Sequence, residues 1–264
     1  MITKTTIIKH KSPKTNNPLA IVGLPGIGNV GNLISTQMIK EFKGVKFATL
    51  YSPHFPHHVT MLKSGGIRIP SNKFYLIKGK QKRRDIIVIT GDAQAATSEG
   101  QYEVNSMIVD FLAGELNCTT IYTIGGYNRE GMVTESPRVF GNVNKKHMID
   151  AFKECGVVFG ETRGMIWGSA GLIIAFAKMK GIDGICLMGE SNFLDFDAAA
   201  AKAVITVLNN NLKVNISTAN LDTIITRTTD SIKELEKQAG VSGGISVPGA
   251  PDFGKDLKSP TYIR

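Results

Sequence analysis

Apolar residues follow two rhythms along this chain. Short unbroken or alternating runs, bounded by Gly, Pro, Asn or Asp, predict strands at 5–10 (TTIIKH), 19–24 (LAIVGL), 45–51 (VKFATLY) and 58–62 (HVTML). Further runs predict strands at 74–79 (FYLIKG), 85–91 (DIIVITG), 119–126 (TTIYTIGG) and 184–189 (GICLMG). Apolar positions recurring every three or four residues predict helices over 29–42, 99–117, 144–154, 165–180, 195–211 and 218–238. Strand and helix alternate regularly except at 45–91, where several strands follow one another. The expected fold is α/β: a three-layer α/β/α domain with a mostly parallel mixed sheet, antiparallel where strands run consecutively.

That domain is expected to span 1–239. Its last helix, 218–238, carries Leu221, Ile224, Ile225, Ile232 and Leu235 on one face behind a Ser217 or Thr218 cap. Beyond it the period stops. Residues 240–264 hold five of the 28 glycines and three of the ten prolines, so they read as a flexible tail.

An apolar fraction of 42% over 264 residues suffices for a substantial core. The run MIWGSAGLIIAFAKM (165–179) is too short to span a bilayer. No secretory leader pattern opens the chain, since MITKTTIIKHK reads as a first strand, and the protein is expected in the cytoplasm. Cys118, Cys155 and Cys186 lie far apart beside apolar segments, which predicts three reduced, buried thiols. The net charge of +9 is densest in KGKQKRR (78–84), between two predicted strands. Without a recognition-helix, finger or RNP-like pattern, this argues for a solvated connection rather than a nucleic-acid surface.

The segment PLAIVGLPGIGNVGNLISTQMIKEF (18–42) spells G-x-G-x-x-G at Gly26, Gly28 and Gly31 between a strand and a helix. A dinucleotide site also needs an acidic residue about twenty positions on, to hold the ribose. No Asp or Glu occurs between Glu41 and Asp85. A Walker loop is excluded as well, because Asn29 and Val30 follow Gly28 where Lys and Ser or Thr belong. What remains is a tight packing turn, with an anion or partner contact at the helix N-terminus as the functional alternative.

Groups just past strand ends share one crevice in an open α/β sheet. Asp92, Gln94, Ser98, Glu99 and Glu103 follow one strand, Gly125 and Gly126 end another, and Glu190 ends a third. Asp92 and Glu190 form a candidate acid/base pair, or polar ligands for a small molecule. The plainer reading has Asp92 fixing its turn while Ser98 and Glu99 cap the helix. HFPHHV gathers His54, His57 and His58, but without matching Cys, Asp or Glu spacing it predicts no metal site. Ser169 in WGSAGL lacks the first glycine of a nucleophile elbow, where Trp167 stands. No catalytic set is assembled by the sequence.

GLPGIGNVG, GDAQ, TIGG, GSAGL and LMGE, in this order and spacing from about residue 18 to about 235, resemble the proteasome assembly chaperone family. The likeness is to archaeal homologues of proteasome assembly chaperone 2, sequences once grouped with ATP-grasp enzymes; no ATP-grasp feature stands in these residues. The resemblance implies a fold similar to purine nucleoside phosphorylases and related hydrolases, with that chemistry lost. It also implies homo-oligomers or paired subunits acting in 20S proteasome assembly through α-subunits, with no cofactor and no membrane. The family's partner-binding device is a C-terminal tail ending in a hydrophobic residue, tyrosine and any residue. Here the chain ends Thr261, Tyr262, Ile263, Arg264, with tyrosine third from the end. The alternative is a phosphorylase- or hydrolase-like enzyme for a nucleoside or other small polar substrate, using Gly26, Asp92, Gln94, Gly125, Gly126 and Glu190.

Overall fold

The structure is a computed structural model and describes residues 2–80, 83–128, 136–161, 164–191 and 196–226, plus the backbone of 262–263. The first seven strands are β1 (Thr6–Lys9), β2 (Leu19–Val22), β3 (Val45–Tyr51), β4 (Thr60–Met61), β5 (Ile67–Arg68), β6 (Asn72–Ile77) and β7 (Ile86–Gly91). They are followed by β8 (Thr120–Asn128), β9 (Val139–Val143), β10 (Val157–Val158), β11 (Met165–Ile166), β12 (Asp183–Ser191) and β13 (Tyr262–Ile263). The helices are α1 (Val30–Glu41), α2 (Ser98–Asp110), α3 (Ile149–Lys153), α4 (Ser169–Met179) and α5 (Ala198–Leu212).

Nine strands form one mixed sheet in the order β1-β3-β6-β7-β2-β8-β12-β9-β10. The centre, β7-β2-β8-β12, is parallel. The flank β1-β3-β6-β7 is antiparallel, as the consecutive strands of 45–91 predict. β2 (LAIV) and the run Ile86–Ile89 of β7 are apolar without interruption because both of their faces are covered. In β2, Ala20 and Val22 enter the core under α2 and α4, while Leu19 and Ile21 enter the core under α1, α3 and α5. In β7, Ile87 and Ile89 alternate with Ile86 and Val88 in the same way. Val30, Ile34 and Met38 of α1 recur every four residues and are each 0% exposed. Below α2, Phe74 and Phe111 meet edge-on at 5.3 Å between ring centroids.

Local departures from the predicted elements have local causes. Helix α2 ends at Asp110 and gives way to a π-helical turn, Phe111–Glu115. Its N-cap is Thr97, whose Oγ1 accepts from the Gly100 N–H at 3.1 Å, so the cap lies one residue before the expected Ser98. The expected helix over 165–180 begins only at Ser169, behind Gly168 at φ 74°, and Met165–Ile166 is strand. Strand β9 was not expected at all. The last predicted helix is described over 219–226, and its remainder and most of the tail lie outside the described residues.

The basic connection between β6 and β7 is partly consumed by the fold. Arg84 donates to the Asn17 carbonyl at 2.9 Å and to Thr119 Oγ1 at 2.7 Å. Lys78 meets buried Asp85 at 2.9 Å. Cys118 and Cys186 are buried, and burial pushes both thiols up to about 11; Cys155 is only half-buried. Among the described residues no helix is long and apolar enough to cross a membrane.

Candidate functional site: the strand-end crevice

The carboxyl ends of β2, β7 and β8 face the turn 23–29, the start of α4 and the loop 92–97. Gly26, Gln94, Gly125 and Ser169 line the crevice between them, together with Leu24 and Ile124. Its free volume is about 10 Å³, room for a single water.

The glycines explain why so little space is left. Gly31, in the first turn of α1, lies so close to β8 that a Cβ there would sit 2.6 Å from the Ile124 carbonyl oxygen and 3.0 Å from Gly23 Cα. A Cβ on Gly126 would strike the Ile27 carbonyl, and one on Gly23 would strike the Gly31 carbonyl. Gly28 adopts φ 57° and abuts Ser191 and Asp197, while its carbonyl accepts from the Asp197 N–H at 2.8 Å. Asn29 is also left-handed, at φ 49°. The G-x-G-x-x-G stretch thus presses backbone on backbone, where a nucleotide loop would present its backbone amides to phosphate.

The polar groups of the crevice satisfy one another. Gln94 Nε2 donates to the Pro25 carbonyl at 2.7 Å, and Gln94 Oε1 accepts from the Ser169 N–H at 2.9 Å. One side chain therefore ties the glycine turn to the start of α4. Ser169 Oγ donates to Gln101 Oε1 at 3.4 Å, and Gln101 Nε2 donates to the Ala95 carbonyl at 2.7 Å. Gly125 has room, with only Ala170 Cβ at 3.8 Å from a notional Cβ.

The candidate carboxylates are not brought together. Asp92 follows β7 and Glu190 lies in β12, with β2 and β8 between, a separation of three strand spacings or about 14 Å. Asp92 turns toward β6: Lys73 Nζ is 2.8 Å away, Arg68 NH2 2.7 Å, and the Ser71 N–H donates at 3.2 Å. Burial raises its carboxyl, and the Lys73 hydrogen bond with the Lys73 and Arg68 charges more than reverses this, leaving it below the ordinary carboxylate range. Glu190 is 4% exposed and takes the Arg138 Nε–H at 3.3 Å and the Arg138 N–H at 3.2 Å, while Arg138 also reaches Glu161 at 2.9 Å. Glu99 is exposed in the first turn of α2. His54 is held by Glu103 at 3.3 Å; among the described residues no group of three or more His, Cys, Asp or Glu converges as a metal site.

Arg138 is the partner that the sequence did not reveal, since it immediately precedes a strand, β9, that was not expected. Of the C-terminal group, the backbone of Tyr262–Ile263 pairs in parallel with β11, Met165 opposite Tyr262 and Ile166 opposite Ile263. Arg264 lies outside the described residues.

The architecture is that of a covered α/β scaffold whose strand-end crevice is occupied by its own backbone and side chains. The PAC2 family profile matches residues 20–236, and the chain belongs to the PAC2 family. It is 35% identical to Pyrococcus furiosus PbaB, described as an archaeal proteasome activator, with a TM-score of 0.83 over 89% of this chain and 100% of that one. P. furiosus PbaA, an archaeal homolog of proteasome-assembly chaperone, shares the fold at 24% identity and a TM-score of 0.73, over 90% of this chain and 94% of that one. An uncharacterized protein of Methanocaldococcus jannaschii is 39% identical over 189 residues, 72% of this chain and 71% of that protein.

Proposed function

We propose that this chain is a proteasome-binding protein of the assembly-chaperone class, acting in the cytoplasm by contact with 20S α-subunits and without covalent chemistry. The observation that carries this reading is its 35% identity to an archaeal proteasome activator across that protein's whole length. The filled crevice supports it from the other side. A pocket of about 10 Å³ does not admit a nucleoside or another small polar metabolite.

Such a chaperone presents a preformed surface that holds α-subunits until their own interfaces close. In a homo-oligomer each copy contributes one tail (240–264) behind a Gly- and Pro-containing tether. Repeating the tail turns later contacts into intramolecular ones at millimolar effective concentration. Released from its pairing with β11, Tyr262 then serves as the aromatic anchor and the carboxylate of Arg264 as the charged one.

Affinity capture from native extract tests this reading. The full chain should retain 20S subunits, and deletion of 240–264 should abolish capture while leaving the number of copies per particle unchanged. Equal capture without the tail rejects tail docking.

The likeness to an activator favours a second outcome, which the same material separates. An activator raises peptide hydrolysis by mature 20S particles. An assembly factor instead speeds formation of 20S from free α- and β-subunits and leaves mature activity unchanged.

A further inference from the structure

Strands β4 and β5 stand apart from the nine-stranded sheet as a two-stranded ribbon joined by the turn 62–66. Thr60 pairs with Arg68 and Met61 with Ile67. Alternation places Met61 and Ile67 on one face and Thr60 and Arg68 on the other, and Val59 and Ile69, just outside the two strands, extend the first face at the same spacing. The Arg68 face is tied down by the ion pair to Asp92 at 2.7 Å. The opposite face is bare: Met61 is 87% exposed, Ile67 70%, Val59 47% and Ile69 40%. Among the described residues, no other short stretch exposes four such large aliphatic side chains together.

A two-stranded ribbon in water is marginal without a cover for its apolar face. These four side chains expose on the order of 450 Å² in each copy, in the range of functional patches. Two such faces together cover on the order of 900 Å², and with their polar rim reach the roughly 1,000 Å² at which specific interfaces begin. The stripe holds no charge and no hydrogen-bonding side chain, so its natural complement is another uncharged aliphatic stripe. A two-fold contact uses one patch twice and meets this condition without a second surface. Antiparallel apposition also sends the two Lys63 turns to opposite ends and keeps like charges apart.

We infer that the Val59/Met61/Ile67/Ile69 face of the β4–β5 ribbon is the contact through which two copies of this chain pair. The inference rests on the homo-oligomer reading above and names its surface.

Light scattering on the full chain at micromolar concentration tests it, beside the double substitution Met61→Asp, Ile67→Asp. The natural chain should show at least twice its 28.5 kDa, and the variant half the natural mass or less, with unchanged circular dichroism. As a check that needs no disrupted interface, Met61→Cys treated with a short bis-maleimide should give a band of doubled mass that the natural chain lacks. A monomeric natural chain, or a variant of unchanged mass, overturns the inference. Unchanged mass with lost 20S capture also overturns it, and would make the stripe a client face. If the mass halves as expected but neither protein captures 20S, the pairing surface stands and the proteasome reading fails.

Discussion

The glycine turn at the crevice and the β4–β5 ribbon reverse what each place usually does in an α/β protein. The carboxyl ends of the central strands are where such sheets bind ligands. Here backbone meets backbone at Gly31 and Gly126, and Gln94 spends both ends of its amide on internal partners. The ribbon contributes nothing to either core, yet it displays Met61 and Ile67 to solvent. The concave site is closed and the projecting element is sticky. This division suits a protein that works by gripping other polypeptides and leaves its scaffold unchanged.

Four substitutions sharpen the contrast, because the crevice should be brittle and the ribbon tolerant. Gly31→Ala should cost most, about 2–3 kcal/mol, although alanine gains roughly 1 kcal/mol in helix propensity over glycine. Its Cβ meets backbone that has nowhere to move. A neutral or raised Tm would show that the turn can open, and would return the crevice to contention as a binding site.

Gln94→Ala should come next, at about 1–2 kcal/mol, by leaving the Pro25 carbonyl and Ser169 N–H without their partner. Chemical denaturation measures it.

Arg68→Ala should lower global stability by no more than about 0.5–1 kcal/mol, because Arg68 is partly exposed. Its effect is local: amide exchange over 60–68 should lose protection. Acid should mimic it. The Asp92 carboxyl lies below its ordinary 3.8, so its contribution is fully present above that value and is lost as pH falls through the lowered one. Ribbon protection already lost well above pH 3.8, where the carboxylate is still ionised, would contradict the tie.

Met61→Asp should have the smallest effect on the folding of one chain, within about 0.5 kcal/mol by urea titration of the dissociated protein. A larger loss would mean that Met61 packs within its own chain.

Much of the scaffold was legible in the sequence. LAIVGL and the run Ile86–Ile89 carry no polar interruption because parallel central strands are covered on both faces, and that pattern is local. The order GLPGIGNVG to LMGE likewise pointed to the right family. Strand β9 escaped because Gly141 breaks its apolar run. That glycine is demanded by distant side chains, since a Cβ there would strike Val157 and Phe159. The carboxylates escaped for a similar reason. Asp92 and Glu190 both end strands, but their partners Arg68, Lys73 and Arg138 come from other segments, and only strand order sets the distance between them.

Alone, the sequence determined most of the elements and the two covered faces of the sheet. These follow from which neighbours along the chain are apolar. Tertiary structure alone decided that the glycine turn is filled and that one ribbon turns its aliphatic face outward. Both outcomes depend on contacts between residues remote in sequence, Gly126 with Ile27 and Arg68 with Asp92, which no local pattern encodes.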